Sequence, residues 1–294
     1  MDRRSRVPLT GPNGGTEAIT ARPKLFLDTN VCINAANEVI SPREWRKVRQ
    51  HIGAHYTYQI SFVTVKELLG KVSRGDEEHF CENRKPLRVL CDFPRREFLP
   101  YPPIFALRTV LGLKTVARRS ALPEEELSET VCKAVLDASG KTELMKGVPY
   151  PDRPGGRLKF NLDDFDSHEN RPQEKHLNLL QRMQKGSVEM SDRTELAEFL
   201  LRDCGQVPEK DSCRRLGDAL DAAYVFTRNL CLLSNCKEAH LEKRANDWGD
   251  IMQLYYLCDE TTHFLTFDRK CRNQTQGSTQ RHRILLYKDF ARSL

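Results

Sequence analysis

Leu25-Phe26-Leu27-Asp28-Thr29-Asn30 (residues 25–30) places an apolar strand directly before an acidic residue. A second unit of the same kind, Phe264-Leu265-Thr266-Phe267-Asp268, lies near the other end of the chain. In an open α/β fold, ligands bind outside the carboxyl ends of the parallel strands, so an Asp that follows a buried strand points into that crevice. Asp28 and Asp268 therefore predict one acidic site that is assembled from both ends of the chain. Such a site usually holds a hard divalent cation.

The composition indicates a soluble globular protein with a basic end. The 294 residues are 39% hydrophobic and 30% charged, and a chain of this length can bury a sizeable core. The segment 269–294 contains seven Lys or Arg residues and one Asp, so it accounts for the net charge of +6. This segment is either a solvated basic end or a surface that contacts phosphates. The ten Cys residues form no CxxC pair, so we expect no zinc site and a reducing, cytoplasmic compartment.

By composition and by its pattern of predicted strands and helices, the chain divides into a lead-in, two α/β ends and a helical middle. Residues 1–22 are rich in Arg, Gly and Pro and have no apolar signal core, so we expect a disordered lead-in. No stretch reaches the length of a membrane span. Alternating strand and helix patterns occupy 23–80 and 236–294, whereas 81–235 is mostly helical. We predict one α/β core with a central parallel sheet, interrupted by a long helical insertion. Two separate end domains are the alternative, but neither end alone has enough strands.

Hydrophobic periodicity and capping residues predict the individual elements. Ser61 is positioned to cap the helix that follows the second strand. The predicted strands are 24–27, 56–60, 263–267 and 283–287, and the predicted helices are 42–50, 62–72, 123–138, 174–185, 194–203, 214–233 and 247–258.

Four carboxylates occupy positions that this fold would bring together. Asp28 and Asp268 end strands, Glu67 lies in the helix after the second strand, and Asp250 lies in the first turn of a late helix. Carboxylates that share a crevice raise one another's pKa unless a cation neutralises them. Ligation by oxygen alone indicates Mg²⁺ or Mn²⁺. Such an ion can polarise a phosphate, lower the pKa of a bound water and stabilise a leaving oxygen.

The order of these motifs resembles the PIN-domain nucleases. The resemblance covers roughly residues 23–80 and 236–294, which is under half of the chain. It implies a Rossmann-like three-layer domain in which Asp28, Glu67, Asp250 and Asp268 hold one or two Mg²⁺ or Mn²⁺ ions. It further implies hydrolysis of phosphodiester bonds, most often in single-stranded RNA. The motifs that carry it are Leu27-Asp28-Thr29-Asn30, Val65-Lys66-Glu67-Leu68-Leu69, Asp250-Ile251-Met252 and Leu265-Thr266-Phe267-Asp268.

Residues beside the four carboxylates have supporting roles in this hypothesis. Thr29 and Asn30 would hydrogen-bond the carboxylates, and Thr266 would orient a metal-bound water or a phosphate. Asp247 is a candidate fifth acid that would help to bind metal or water. Three basic residues would contact the nucleic-acid backbone without reading its sequence: Arg269, Lys270 and Arg272.

Each proposed site residue also has an ordinary structural interpretation. Asp28 followed by Thr and Asn is typical of a turn or helix entry. Glu67 could form an exposed pair with Lys71 one helical turn later. Asp250 could complete a capping box, Asp268 could cap or turn the chain as it leaves the sheet, and the basic residues could be solvated surface charge.

Together these features predict a metal-dependent endoribonuclease, toxin-like in type, that acts on single-stranded RNA. A DNA nuclease of host-defence or structure-specific type is an alternative, because both polymers present phosphates. A catalytically silent PIN-like module that binds nucleic acid or protein is another. The segment 81–235 has no counterpart in compact members of the family, and could narrow the substrate, recruit a protein inhibitor or partner, or occlude the site. The oligomeric state stays open, with a homo-oligomer among the alternatives.

Overall fold

The central element of the protein is a five-stranded parallel sheet. A computed structural model describes residues 22–113, 124–144, 146–149, 157–158, 178, 181–182, 185, 192–233 and 247–294. The strands are β1 (Lys24–Leu27), β2 (Thr57–Ile60), β3 (Arg96–Phe98), β4 (Val148–Pro149), β5 (Arg157–Leu158), β6 (Thr262–Thr266) and β7 (Ile284–Leu286). The sheet has the order β3-β2-β1-β6-β7 and every neighbouring pair is parallel. Strands β4 and β5 form a separate antiparallel pair.

The strand order reverses direction at the centre of the sheet. From β1 the chain proceeds through β2 and β3 on one side, and later returns to place β6 and β7 on the other. Strands β1 and β6 are therefore neighbours, and Leu27 pairs with Leu265 in their register. Open α/β sheets bind ligands in the crevice outside the carboxyl ends of the strands at such a reversal. The two strands that end in Asp28 and Asp268 meet at this point.

Helices pack on both faces of the sheet. Residues alternate along β1, so that Leu25 and Leu27 join one buried apolar cluster and Phe26 joins the other. The sequence of a strand that is buried on both faces is a continuous run of apolar residues. The arrangement is a helix–sheet–helix sandwich, and the predicted α/β class with a central parallel sheet is confirmed. The helices are α1 (Thr29–Ala36), α2 (Pro42–His55), α3 (Phe62–Arg74), α4 (Phe80–Asn83), α5 (Lys85–Cys91), α6 (Pro102–Leu111), α7 (Glu124–Asp137), α8 (Lys141–Leu144), α9 (Thr194–Asp203), α10 (Lys210–Ala219), α11 (Asp221–Leu233), α12 (Trp248–Leu254), α13 (Arg269–Gln274) and α14 (Tyr287–Arg292).

Helix α3 begins where the capping chemistry predicts. The Ser61 hydroxyl accepts hydrogen bonds from the backbone N–H groups of Val63 and Thr64, at 3.1 and 3.3 Å. These bonds satisfy donors that have no partner within the helix. Because β2 ends directly before this cap, the first turns of α3 lie at the carboxyl edge of the sheet. The helix thus carries Glu67 to the crevice.

Several predicted boundaries differ from the structure for packing reasons. Helix α2 continues beyond residue 50 to His55, because Val48 and Ile52 both bury on the same face. The predicted helix 214–233 is two helices, α10 and α11, that are separated at Leu220. The predicted helix 247–258 ends as an α-helix at Leu254 and continues as a 3₁₀ turn, Tyr255–Cys258.

The described part of the segment 81–235 packs together with the two ends of the chain. It supplies the edge strand β3, which the sequence did not predict because its residues are mostly exposed and carry no buried alternation. Tyr256 links the parts further: its hydroxyl donates to the carbonyl of Pro100 at 2.7 Å and accepts from the N–H of Phe62 at 3.2 Å. The helical segment therefore packs on the sheet and its edge strand extends it.

Two expectations fall mainly outside the described residues. The lead-in 1–22 is described only at Arg22, and the predicted helix 174–185 only at positions 178, 181–182 and 185. Among the helices that are described, none has both the length and the apolar character that crossing a membrane requires.

Candidate functional site

Asp28 is buried at the junction of β1 and α1. Its side chain is only 5% exposed, and its Oδ2 atom accepts a hydrogen bond from the Thr266 hydroxyl at 2.7 Å. The amide of Asn30 lies at the outer limit of a hydrogen bond to the same oxygen, at 3.5 Å. The carboxylate is thus held by a residue from the neighbouring strand and by one from its own loop.

Opposing effects act on the pKa of Asp28. Burial raises this pKa most strongly, and the nearby charge of Asp268 raises it further. The Thr266 hydroxyl, the Gln253 amide and the backbone N–H of Thr29 act in the opposite direction. Burial outweighs these donors, so the net direction is upward. A bound cation would oppose this shift, because a nearby positive charge favours the ionised carboxylate.

Asp268 follows β6 and lies beside Asp28. Its backbone N–H donates to the Thr266 hydroxyl oxygen at 2.9 Å, and its Oδ1 accepts from the N–H of Lys270 at 2.6 Å. The second bond makes Asp268 the N-cap of the short helix α13. Capping of α13 is compatible with a role in the site, because the charge of Asp268 also raises the pKa of Asp28.

Glu67 reaches the crevice from α3. The Thr29 hydroxyl donates a hydrogen bond to Glu67 Oε2, so the residue after Asp28 holds this second carboxylate. Gly249 at the start of α12 approaches from another side: a Cβ atom there would lie 2.8 Å from Glu67 Oε1. A side chain at position 249 would displace the carboxylate. The absence of a side chain at Gly249 makes room for Glu67.

Asp250 shows most clearly that the carboxylates share one region. Its pKa is raised to about 8, first by burial and then by the charges of four other acids. Like charges disfavour ionisation only when they are close. The four acids that act on Asp250 are Asp28, Asp268, Glu67 and Asp247.

The remaining predicted residues lie around this group. Asp247 pairs with Lys270, whose Nζ atom is 2.8 and 3.0 Å from the two carboxylate oxygens. Asp247 occupies the N-cap position of α12, but its side chain makes no capping bond. Arg269 is exposed, and Arg272 forms an ion pair with Asp289 at 3.6 Å. Lys270 and Arg272 thus each have an acidic partner within the protein.

Gln253 is a polar residue of this region that the sequence patterns did not reveal. It lies on α12 three residues after Asp250, it is fully buried, and its amide acts on Asp28. Neither amide atom meets the geometry of a hydrogen bond to any described residue. The only sequence signal is a Gln at helical spacing from Asp250 within the apolar run of α12.

The donor chemistry of the site suits a hard divalent cation. Carboxylate oxygens are the ligands that Mg²⁺ and Mn²⁺ prefer, and the mutual repulsion at Asp250 would be relieved by positive charge. In the described residues, no three His, Cys, Asp or Glu side chains stand in an arrangement that could hold a metal ion together. Asp28 and Glu67 instead accept hydrogen bonds from Thr266 and Thr29. A cation held by several of these carboxylates would therefore need some of them to adopt a different arrangement.

Comparison with known proteins gives no relative from which a function could be transferred. Neither the family models, nor the curated proteins, nor the solved structures match this chain.

Proposed function

We propose that this protein is a divalent-metal-dependent nuclease of the PIN-domain type that hydrolyses phosphodiester bonds in single-stranded RNA. The observation that carries the proposal is the gathering of acidic side chains at the strand-order reversal, where burial and then the charges of four other carboxylates raise the pKa of Asp250. Acids that are gathered in this way destabilise the fold by mutual repulsion, and packing alone does not account for them. Clusters of groups with perturbed pKa values occur mostly at functional sites.

Four carboxylates would hold the cation: Asp28, Glu67, Asp250 and Asp268. When bound, a Mg²⁺ or Mn²⁺ ion supplies Lewis-acid polarisation of a phosphate and lowers the pKa of water. Thr266 and Thr29 orient the carboxylates of Asp28 and Glu67, to which they donate hydrogen bonds. In this mechanism water is the nucleophile, so no covalent intermediate with the protein is needed.

The surroundings of the site support a polyanionic substrate. Arg269 is exposed directly after Asp268, where a guanidinium can contact a phosphate and position the strand without reading its sequence. The helical segment also reaches the site, because the ring of Phe199 on α9 packs edge-on against Trp248 at 6.3 Å. Trp248 begins the helix that carries Asp250. We therefore assign to the helical segment a role in restricting which substrates enter.

A cytoplasmic location is part of the proposal. The described cysteines are free thiols, and free thiols are usual in a reducing compartment.

The test is a cleavage assay with a matched pair of variants. The purified protein is incubated with end-labelled single-stranded RNA or DNA, in Mg²⁺, Mn²⁺ or EDTA. Asp28→Asn removes one charge from the site, whereas Asp211→Asn makes the same change on an exposed residue of α10 that pairs with Arg214. Circular dichroism establishes that both variants are folded.

The outcomes separate the alternatives. We expect RNA cleavage that requires the metal, that falls at least 100-fold in Asp28→Asn and that is unchanged in Asp211→Asn. Cleavage of DNA alone, if it also requires the metal and Asp28, would support the metal-dependent mechanism but would show that the substrate is DNA and not RNA. Full activity in folded Asp28→Asn would refute the site. No cleavage by the folded wild-type protein of either polymer would favour a binding module.

A further inference from the structure

Helices α2 and α14 both expose positively charged side chains to solvent. On α2 the exposed cations Arg43, Arg46 and Lys47 have the i, i+3, i+4 spacing of one helix face. On α14 the exposed cations are Lys288 and Arg292, which lie one helical turn apart. In the described residues, none of these five forms an ion pair with a carboxylate. We call these five residues the basic surface.

The two helices that carry the basic surface are neighbours. The rings of His51 on α2 and Phe290 on α14 lie 5.6 Å apart, and both helices bury residues in the same apolar cluster. Helix α2 ends at His55, directly before β2 begins. Because α2 belongs to the crossover between two parallel strands, its first turn lies towards the carboxyl edge of the sheet. Helix α14 begins directly after β7, at that same edge. The basic surface therefore starts near the acidic site and extends away from it.

Acids on the same helices do not balance these charges. Helices α2 and α14 contain six Lys or Arg residues and two acids, Glu44 and Asp289. Asp289 already pairs with Arg272 on α13 at 3.6 Å. A surface with an excess of one sign of charge attracts a partner of the opposite sign. The chemistry of the basic surface thus fits a polyanion.

Aromatic rings lie at the C-terminal end of α2. The rings of His51 and His55 are 4.3 Å apart, and the ring of Tyr56 lies 6.2 Å from that of His51. His55 is exposed, and the other two residues are partly exposed. Accessible rings beside cations suit a single-stranded nucleic acid, because unpaired bases can stack on the rings while the cations contact the phosphates. The bases of a duplex are already stacked on one another, so the rings favour a single strand.

We propose that the basic surface binds the phosphate backbone of single-stranded RNA and that the rings at the end of α2 stack on its bases. The inference deepens the proposed function and rests on it for the choice of RNA as the partner. It assigns a role to the basic segment 269–294 through Lys288 and Arg292. It also places part of the RNA-binding energy away from the carboxylates, which repel phosphates until a cation is bound.

The experiment measures the binding of a fluorescent single-stranded RNA by anisotropy in EDTA, where metal-dependent cleavage does not occur. The α2 variant combines Arg43→Gln, Arg46→Gln and Lys47→Gln. The α14 variant combines Lys288→Gln and Arg292→Gln. Gln keeps a long polar side chain and suits a helix, so both variants should fold, which circular dichroism checks.

The chain supplies a matched control for the α2 variant. Arg88, Lys133 and Lys210 are exposed residues of α5, α7 and α10. They likewise form no ion pair in the part of the chain that the structure describes. A variant with all three changed to Gln therefore loses the same number of unpaired cations from other places on the protein.

The expected effects follow from the loss of phosphate contacts. At about 0.1 M salt, the α2 variant should bind the RNA about tenfold or more weakly. The slope of log K against log salt should decrease by about 2 in this variant and by about 1 in the α14 variant, since each contact contributes roughly 0.7. The control variant should bind like the wild type. His55→Ala should weaken binding about fivefold, as expected when one base loses its stacking partner.

Each result has a separate meaning. Wild-type affinity in the folded α2 variant, or an equal loss in the control variant, would overturn the inference and leave the nuclease proposal intact. Equal binding of a duplex of the same sequence would overturn the assignment to a single strand, and tighter binding of single-stranded DNA would overturn the choice of RNA. RNA binding that depends on the basic surface, without metal-dependent cleavage by the wild type, would refute the nuclease and support the surface.

Discussion

The hydroxyl of Thr266 donates a hydrogen bond to Asp28 Oδ2 at 2.7 Å, although the two residues are 238 positions apart in the chain. The same hydroxyl oxygen accepts the backbone N–H of Asp268 at 2.9 Å. One side chain thus connects the ends of the two central strands. Because Thr266 is fully buried, this connection is shielded from competition with water. The relative position of Asp28 and Asp268 depends on it.

Replacement of this hydroxyl should impair the site more than the fold. We expect Thr266→Val to lower RNA cleavage about tenfold or more, because Asp28 loses its best-aligned donor. The free energy of unfolding should fall by about 1–3 kcal/mol, since a buried carboxylate loses a hydrogen bond. Initial rates at saturating metal and urea unfolding measure the two effects.

Thr262 on the same strand provides the control. It is also fully buried, but its hydroxyl has no hydrogen-bond partner among the described residues. Thr262→Val should therefore leave cleavage unchanged and leave stability equal or higher. Equal activity of the two Thr→Val variants would contradict the role of Thr266.

The pKa of Asp250 predicts an unusual dependence of stability on pH. With a folded-state pKa of about 8 and an ordinary value of 3.8, the folded protein in EDTA holds a proton that the unfolded chain releases. The free energy of unfolding should therefore fall as the pH rises from about 4 to about 8. The raised pKa of Asp28 acts in the same direction. Urea unfolding in EDTA across this range measures the slope.

Asp250→Asn tests the assignment of that slope. The amide cannot ionise, so the variant should lose much of the decline and should exceed the wild type at pH 8 by on the order of 2 kcal/mol. Asp211→Asn, on the exposed surface, should retain the wild-type slope. Parallel curves for wild type and Asp250→Asn would show that Asp250 ionises normally.

The sequence predicted the elements whose signals are local. Strand β1 and helix α9 have the predicted bounds, and Ser61 caps α3, because a contiguous apolar run, an amphipathic period and a capping hydroxyl act over a few residues. Strand β3 was missed because its residues are mostly exposed and show no alternation of buried side chains, although they pair with β2. The division of 214–233 at Leu220 likewise depends on tertiary packing.

The same distinction applies to the candidate site. The order of strands and acids suggested that four carboxylates lie near one another. In the structure, the charges of Asp28, Glu67 and Asp268 all raise the pKa of Asp250. The buried amide of Gln253 and the ion pair of Asp247 with Lys270 were not predicted. Both depend on how α12 packs against the ends of β1 and β6. The hydrophobic periodicity within α12 or within these strands does not predict that packing.

Gly249 gives a prediction that separates site geometry from stability. In Gly249→Ala the new Cβ would approach Glu67 Oε1 to 2.8 Å, and the flexible carboxylate would move away. Cleavage should fall about tenfold or more, because small displacements of a binding group are costly to catalysis. Stability should change by less than about 1 kcal/mol, since Ala favours the helix. Cleavage rates and urea unfolding measure both effects.

Gly53 offers the corresponding change away from the site. It lies within α2, and a Cβ there would meet no atom within 4 Å. Gly53→Ala should stabilise the protein by about 0.5–1 kcal/mol and leave cleavage unaltered. Wild-type activity in Gly249→Ala would mean that Glu67 does not need its present position.

The last prediction concerns the attachment of the helical segment to the C-terminal end. Asp221 at the start of α11 is 2% exposed, and its Oδ2 atom accepts from the Ser278 hydroxyl and the Thr279 N–H, both at 2.8 Å. Its Oδ1 atom lies 3.0 Å from Arg193, without the alignment of a hydrogen bond. Asp221→Ala leaves the Ser278 and Thr279 donors without their buried acceptor, so the unfolding free energy should fall by about 1–3 kcal/mol.

Asp218 pairs with the same Arg193, but at 3.8 Å and with a side chain that is 64% exposed. Asp218→Ala should cost less than about 1 kcal/mol, because exposed ion pairs contribute little. Urea unfolding of the two variants measures this contrast. A large loss in Asp221→Ala with a single cooperative transition would show that the helical segment and the sheet unfold together. Similar small losses in both variants would show that the buried contacts of Asp221 do not hold the segment in place.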